Sequence, residues 1–542
     1  MDNVLFLIIK FYIFFIFLFL LGRAFLLINT KIFGLNIKKE SKVQGIDIDI
    51  FYPVFGIFFL GNFLYIFNYF FPLKSNFSYL IVVFILFNFI EPFDIKRLKG
   101  LFLTLPFYIV LLVSSYDINF HYDAGLYHLN NQLWILESNI IAGFSNIYGP
   151  FGVSSIYEYV SAFLWIDQSF MLLHFLNLIF IGFFYTFLFY NLIYNKNKSL
   201  FTGSVLLIFY SIFDNFGFSG GRNGFINIQS IGKQDLAIAV LFLVTGSLLL
   251  VSILKKSFKE EELVVYSILS LFIFQLKISG FAIAFIYFFY LYCFIKVNKL
   301  SFFSAINKIR FYIVLLLAWI AKSIVHTGCL IFPYEPSCFS SLEWVNREYL
   351  RNIENVTVNY SSSYFFGDSL LIWGKNYFSI PINATVFMNY LISLLGLLLF
   401  SKVFFKKTNE FEKNKVIIPL VIISILFYLR FGPDVRYLSG LMMLIVFCLG
   451  LDYDINIKIP NMIFSALLLF SLLMVPKLQS YKSIDLTRNP SVLMPEESMK
   501  KLHGRLAPES GDQCWVNINC SSNLENYKIN TSGYFKIVTL EK

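Results

Sequence analysis

The chain has 542 residues, 58% of them hydrophobic and only 14% charged, with a mean hydropathy of +0.70. Soluble domains carry about 25% charged residues, so this composition excludes an ordinary soluble protein. The formal net charge of +10 would suit a nucleic-acid partner in a soluble chain, but here Lys and Arg fall in short stretches between apolar runs, where membrane topology accounts for them.

A helix needs about 20 apolar residues to cross a bilayer. Runs of that kind lie near 4–27, 50–71, 77–92, 100–115, 168–194, 199–213, 235–254, 262–276, 280–296, 311–326, 383–403, 415–430, 437–451 and 460–476. They predict an all-α integral membrane protein with about fourteen transmembrane helices. Val4 to Leu21 lacks a basic leader and a small-residue cleavage site and reads as a retained span. Basic clusters follow alternate spans, from Lys31, Lys38, Lys39 and Lys42 to Lys406, Lys407, Lys413 and Lys415. The positive-inside rule puts all of them in the cytoplasm. The polytopic domain is then 1–476, with outer loops 116–167, 214–234 and 325–382, and 477–542 is a small extracytoplasmic cap. Cys329 with Cys338 and Cys514 with Cys520 form two close pairs in outward segments and are expected to be bridged. The second bridge and Trp515 would tie the cap down. Neither pair has the four-ligand pattern of a zinc site.

The first outer loop concentrates the chemistry. Between Gly100 and Lys196 there is no Lys or Arg, so Asp117, Asp123, Glu137, Glu158 and Asp167 have no basic neighbour in sequence. Any cation that meets them comes from another loop or from a ligand. If Asp123 to Glu137 is helical, Asp123, Tyr127, Asn130, Trp134 and Glu137 fall within roughly 40° of one line. Leu126, Leu129, Leu133 and Leu136 form an apolar stripe beside it. This pattern predicts a juxtamembrane helix lying greasy side down, with a carboxylate at its N-terminal end. A plainer alternative is a solvated loop whose acids keep it out of the bilayer.

Other patterns narrow the chemistry. There is no P-loop and no dinucleotide fingerprint, which argues against an ATP-driven pump. Gly217 to Gly221 spells the hydrolase elbow around Ser219, but it follows a membrane helix and not a strand. His121, Asp123 and His128 could ligate a metal, yet no matching distant carboxylate signature accompanies them, so no metal site and no required cofactor are predicted. Lys277, Lys322, His326, Arg430 and Arg436 stand at outer span edges, where ionisable residues are costly unless they have a role. An acidic loop ringed by separate cations suits a ligand that carries an anionic phosphate and a group that must lose a proton.

Asp123-Ala-Gly-Leu-Tyr127-His128-Leu, followed by Trp134, resembles the Asp-x-x-x-Tyr-His-Leu signature in the first large outer loop of bacterial GT-C type membrane glycosyltransferases. Thr327-Gly328-Cys-Leu-Ile-Phe-Pro333, Gly432-Pro433-Asp434-Val-Arg436-Tyr437 and Gly511-Asp-Gln-Cys514-Trp515 resemble segments of a bacterial branch of that group. The resemblance implies a GT-C-like fold in the inner (cytoplasmic) membrane, with its active site facing the periplasm or exterior. It also implies transfer of a sugar from a polyprenyl-phosphate-linked donor to a glycan or lipid acceptor in cell-surface polysaccharide assembly. Asp123 carries over as the catalytic base or acceptor-orienting acid. Lys277 and Arg436 would meet the phosphate, and Asp117, Tyr127 and His128 would shape the substrate site. Some members of the group use a divalent metal; nothing in this sequence requires one. Two departures stand out: Asp117 lies six residues before Asp123 where many relatives have an adjacent acidic pair, and Asp235 follows an unfamiliar Lys233-Gln234. On an ideal helix His128 also projects about 140° away from Asp123. Rival readings are an O-antigen-type polymerase or ligase and, in another class, a lipid-linked glycan flippase or transporter, which expects ionisable groups near the bilayer midplane.

Overall fold

The computed structural model describes residues 2–32, 42–74, 78–91, 99–153, 155–166, 170–216, 225–358, 370–407, 418–426, 435–451, 453–455, 461–492, 494–495, 499–502, 505–509, 511–518, 520, 527–533 and 535–540. The chain is mostly helical. Eight of the described helices are long and apolar enough to cross a membrane: Asn3–Lys31, Ile48–Asn68, Gly100–Asp117, Met171–Ile193, Asp235–Lys255, Ile278–Val297, Phe302–Thr327 and Pro381–Phe404. Leu80–Ile90, Tyr437–Leu451 and Met462–Met474 are apolar but shorter. Helical residues lie in every apolar run read from the sequence, but the number that reaches spanning length among the described residues is eight.

Burial sorts these helices into a centre and a flank. Asp235–Lys255 is 100% buried over its most apolar window and Met171–Ile193 is 94% buried, whereas Phe302–Thr327 and Pro381–Phe404 are 33% and 28% buried. A helix that is apolar all round and enclosed by protein is a core helix, and one that keeps an exposed apolar face meets lipid. Asp235 therefore stands at the mouth of the most enclosed helix in the bundle.

The stretch after Gly100–Asp117 departs from the expected surface helix. Ala124–His128 is a π turn, closed by the Leu129 N–H donating to the Ala124 carbonyl, and a regular helix follows over Leu129–Glu137. Asn130, Asn131, Gln132 and Trp134 are buried inside the protein together with Leu129, while Leu126, Leu133 and Leu136 stay half-buried and Glu137 is exposed. The polar side turns inward because it finds partners there: Asn130 Nδ2 donates to the Asn517 carbonyl at 2.6 Å, and Gln132 reaches the buried Glu158. A solvated loop is excluded by the same burial.

The tail packs onto the first outer loop. Phe535–Leu540 forms a hairpin with Tyr527–Ser532 and pairs in parallel with Ile141–Ala142, in the register Ile141 to Lys536 and Ala142 to Ile537. Met499–Leu502 and Arg505–Pro508 make a second hairpin. These strands add a small β component to an otherwise helical chain. Both expected disulfides, Cys329–Cys338 and Cys514–Cys520, are present. The second one closes a loop that sits on the first-loop motif: Cys514 N–H and Trp515 N–H both donate to the Gly125 carbonyl at 2.9 Å. Trp515 packs edge-on against Phe120, and Tyr122 donates to Asp512.

Gly125 has no room for a side chain, because a Cβ there would come within 2.6 Å of the Trp515 ring and 2.8 Å of Gln513 Oε1. Gly125→Val is therefore expected to dislodge the tail. Limited proteolysis of the full chain should show cleavage within 505–540 accelerating about tenfold or more, equivalent to about 1.4 kcal/mol of docking. Helix content by circular dichroism should stay unchanged. Full protection in this variant would mean that the tail is held elsewhere.

Candidate functional site

Two loops distant in sequence are laced together to build the site. His121 N–H donates to the Ile231 carbonyl at 2.8 Å and Ile231 N–H donates to the Asn119 carbonyl at 3.1 Å, a parallel bridge that lays 119–121 along 230–231. Gly232 follows with a φ of +93°, and a Cβ there would meet the Ala124 Cβ at 2.6 Å. A side chain at 232 would thus be strained and obstructed at once. The close approach places Lys233 Nζ at 2.7 Å from Asp123 Oδ2. His121 adds its Nδ1 at 3.0 Å as acceptor for the Asp123 N–H. Burial pushes the Asp123 carboxyl up, but the Lys233 hydrogen bond and charge, with His121 and His128 nearby, outweigh it and hold the group below the ordinary 3.8.

Lys233, Gln234 and Asp235 address three different charged groups from consecutive positions. Lys233 takes Asp123. Gln234 Nε2 donates to Glu158 Oε1 at 2.9 Å. Asp235 Oδ1 lies 3.3 Å from Lys277 Nζ, which also sits 4.0 Å over the Tyr437 ring. Glu158 accepts as well from His128 Nδ1 and from Gln132 Nε2 at 2.8 Å. Tyr127 lies among these groups: burial raises its hydroxyl well above the ordinary range, and the charges of Asp123, Glu158 and Asp235 add to the effect.

The two Lys–Asp pairs present opposite partners to solvent. In the first, the Asp123 side chain is 19% exposed and Lys233 is 12% exposed. In the second, Asp235 is 8% exposed and Lys277 is 21% exposed. One pair offers a carboxylate and the other a cation, with Tyr127 within electrostatic reach of both carboxylates.

The sequence-predicted residues are partly assembled here. Asp123, Tyr127 and His128 come together, and Lys277 joins them through Asp235 and Tyr437. The π turn is why His128 belongs to this group: the wider turn brings residues five apart nearer one face than an ideal helix would. Asp117 does not join; it lines a separate cleft of about 30 Å³ with His174 and Lys477. Arg436 lies in the first turn of Val435–Leu451, but its side chain is outside the described residues, as are Asp167, Ser219, Arg430, Asp434 and His503. Lys322 and His326 are buried behind the site, with Lys322 Nζ 4.3 Å over the Trp319 ring and 4.8 Å over that of Tyr159. Among the described residues no group of three His, Cys, Asp or Glu is arranged to hold a metal ion.

Glu158, Gln132, Lys233 and Gln234 were missed as partners. Glu158 had a usable signal, a lone acid inside the apolar stretch Ile156–Phe163. The polar triplet 233–235 directly before an apolar helix was another, although nothing local says which residue it faces.

The model of one protein family, described as Domain of unknown function (DUF8201), matches residues 4–443, a stretch that contains every residue of the cluster and ends before the tail. No curated protein and no solved structure matches the chain.

The Lys233–Asp123 pair can be tested by its pH signature. A carboxylate held below its unfolded value contributes stability above that value and loses it as the pH falls through the folded one. Lys233→Met should therefore cost about 1–3 kcal/mol at neutral pH, between exposed and fully buried pairs. The deficit should shrink below about pH 4, as Asp123 protonates. Thermal unfolding of both proteins from pH 7 to pH 3 checks this, and an equal deficit at both ends would assign the loss to packing.

Proposed function

The chain belongs to that family, whose description names no chemistry, and we propose from its site that it is a multi-pass membrane glycosyltransferase. It moves a sugar from a polyprenyl-phosphate-linked donor to an outward-facing glycan or lipid acceptor. The observation that carries this reading is the opposed exposure of the two ion pairs, a carboxylate at Asp123 and a cation at Lys277 flanking Tyr127. Sugar transfer from a phosphate needs both. The acceptor hydroxyl must meet a base, and the departing phosphate must meet positive charge. Asp123, held ionised at neutral pH by Lys233, serves the hydroxyl. Lys277 and Arg436 serve the phosphate, and Tyr127 and His128 complete the site.

The resemblance of the first-loop motif supplies the rest of the reading. A GT-C-like arrangement of about fourteen spans places the first loop, the 214–234 loop and the tail on the non-cytoplasmic side of a bacterial inner membrane. A cleft of about 530 Å³ between the first helix and Lys99–Leu112, lined by Tyr12, Phe15, Phe19, Leu101, Leu105 and Pro106, has the apolar lining that a prenyl chain needs.

Transfer of radiolabelled sugar from a panel of polyprenyl-phosphate donors by the purified protein tests the reading. Asp123→Asn should lower transfer by at least about 10²-fold with the thermal unfolding midpoint retained. Wild-type transfer that survives in Asp123→Asn would remove Asp123 from the chemistry. Absence of transfer with every donor, alongside movement of labelled lipid-linked glycan across proteoliposomes, would replace the transferase with a transporter.

A further inference from the structure

The residues that lead into the π turn are pinned through the backbone of His121. Its N–H donates to the Ile231 carbonyl at 2.8 Å, and its carbonyl accepts the Ala124 N–H at 2.9 Å. The Asp123 N–H belongs to the unpaired first turn of a helical segment, and its acceptor is His121 Nδ1 at 3.0 Å. A backbone N–H can only donate, so Nδ1 presents a lone pair and the ring proton sits on Nε2. His121 is thus neutral for as long as this bond lasts.

The same nitrogen lies 3.5 Å from Asp123 Oδ2, the oxygen that Lys233 Nζ holds at 2.7 Å. Both neighbours address Oδ2, and among the described residues Oδ1 takes no hydrogen bond. Oδ1 is therefore the oxygen open to a ligand. Nδ1 cannot accept from the N–H and donate to the carboxylate at once, so the two contacts belong to two protonation states. Protonation puts a hydrogen on Nδ1, sets it against the Asp123 N–H and turns the ring toward Oδ2, which then meets two cations. A carboxylate between two cations is a weaker base. The His121 side chain is 35% exposed, so solvent can deliver the proton. The ionisable groups around it are Asp123 of its own turn, Lys233 of the facing loop, and Tyr122 bonded to Asp512 of the tail. His128 stands at the far end of the π turn, within electrostatic reach of Asp123.

We propose that His121 is a positioning residue for Asp123 with two settings, and that its proton decides whether the carboxylate can work. Neutral His121 holds the Asp123 N–H and leaves the carboxylate to meet the acceptor hydroxyl through Oδ1. Protonated His121 swings Nδ1–H onto Oδ2 and disarms the base. The proposal rests on the transferase reading for what Asp123 does, and on the two contacts of Nδ1 for the exchange of partners. Its consequence is an acid limit on transfer that is set by a histidine and not by the carboxyl group.

The test combines a kinetic and a spectroscopic readout on the full chain in lipid nanodiscs, beside His121→Asn. The Asn side-chain oxygen can still accept a backbone N–H two residues on, but it takes no proton. Wild-type transfer should fall by up to about tenfold per pH unit on the acid side of an inflection between about pH 5 and 8. In His121→Asn that inflection should vanish, leaving only a limb below about pH 4, where Asp123, held under 3.8, takes its own proton. Histidine-selective 15N NMR, with His121 assigned by its loss in His121→Asn or His121→Gln, should show a bare Nδ1 and a protonated Nε2 above about pH 8. Both nitrogens should be protonated near about pH 5, and the Asp123 amide proton should shift with the same midpoint. An inflection that persists in His121→Asn overturns the proposal. So does a proton on Nδ1 above about pH 8, or an Asp123 amide that ignores the titration of the ring. If no donor is turned over, the transferase reading falls, and the spectra alone decide whether His121 exchanges partners.

Discussion

The site depends on the cost of keeping carboxylates among apolar helices. Taking a carboxylate out of water costs several kcal/mol even after the protein relaxes, and Glu158 and Asp235 are 3% and 7% exposed. Each must be supplied with donors or a cation, and the first loop contains no Lys or Arg to supply them. Gln132 and His128 of the first loop serve Glu158 together with Gln234, Lys277 serves Asp235, and Lys233 serves Asp123. Lys233 precedes the central helix, Gln234 caps it and Asp235 begins it, so three successive side chains leave the backbone in different directions. Asp214 is satisfied differently: it accepts the Phe225 and Ile226 N–H groups at 3.1 and 2.8 Å and holds the near end of the same loop.

That requirement organises the surroundings. The bridge of 119–121 to 230–231 is what carries Lys233 to Asp123, and the bare Cα of Gly232 is what lets the two loops touch. The tail closes the other side of the motif. Its disulfide loop uses two backbone N–H groups on the Gly125 carbonyl, and Phe535–Leu540 adds a strand to Ile141–Ala142. The loop before the central helix and the tail thus hold one π turn from two sides, and His121 Nδ1 lies 3.5 Å from the Asp123 carboxylate.

Much of this was legible in sequence, and the part that was not has a physical reason. Hydrophobic runs report the helices because a bilayer or an apolar core imposes length and composition locally. The cysteine pairs were legible because their spacing is short. Asp123, Tyr127 and His128 were legible as a cluster because they share a loop. The Lys277 pair with Asp235, Lys233 on Asp123 and Gln234 on Glu158 were not, since those contacts depend on which loops the bundle brings together. The burial of Asn130 and Trp134 was misjudged for a related reason: amphipathicity says that two faces differ, not which one meets protein. Asp117 was grouped with Asp123 by proximity along the chain, but the extended backbone between Ile118 and His121 carries them to different clefts.

The segment 123–128 also breaks local rules more densely than its surroundings. It winds as a π turn, it carries a glycine where a helix would prefer alanine, and that glycine's carbonyl bonds the tail instead of the next turn alone. A sequence that needed only a stable helix would have no use for these features, each of which costs stability by itself. They become intelligible together. The π turn brings His128 round to the Asp123 side while keeping it over Glu158, and Gly125 admits Trp515, so the turn is clamped in that shape. A regular helix would free the tail and send His128 away from Asp123, separating the exposed carboxylate from the buried His128–Glu158 pair. The local irregularity thus sets a surface acid and the partner of a core acid at the two ends of one turn.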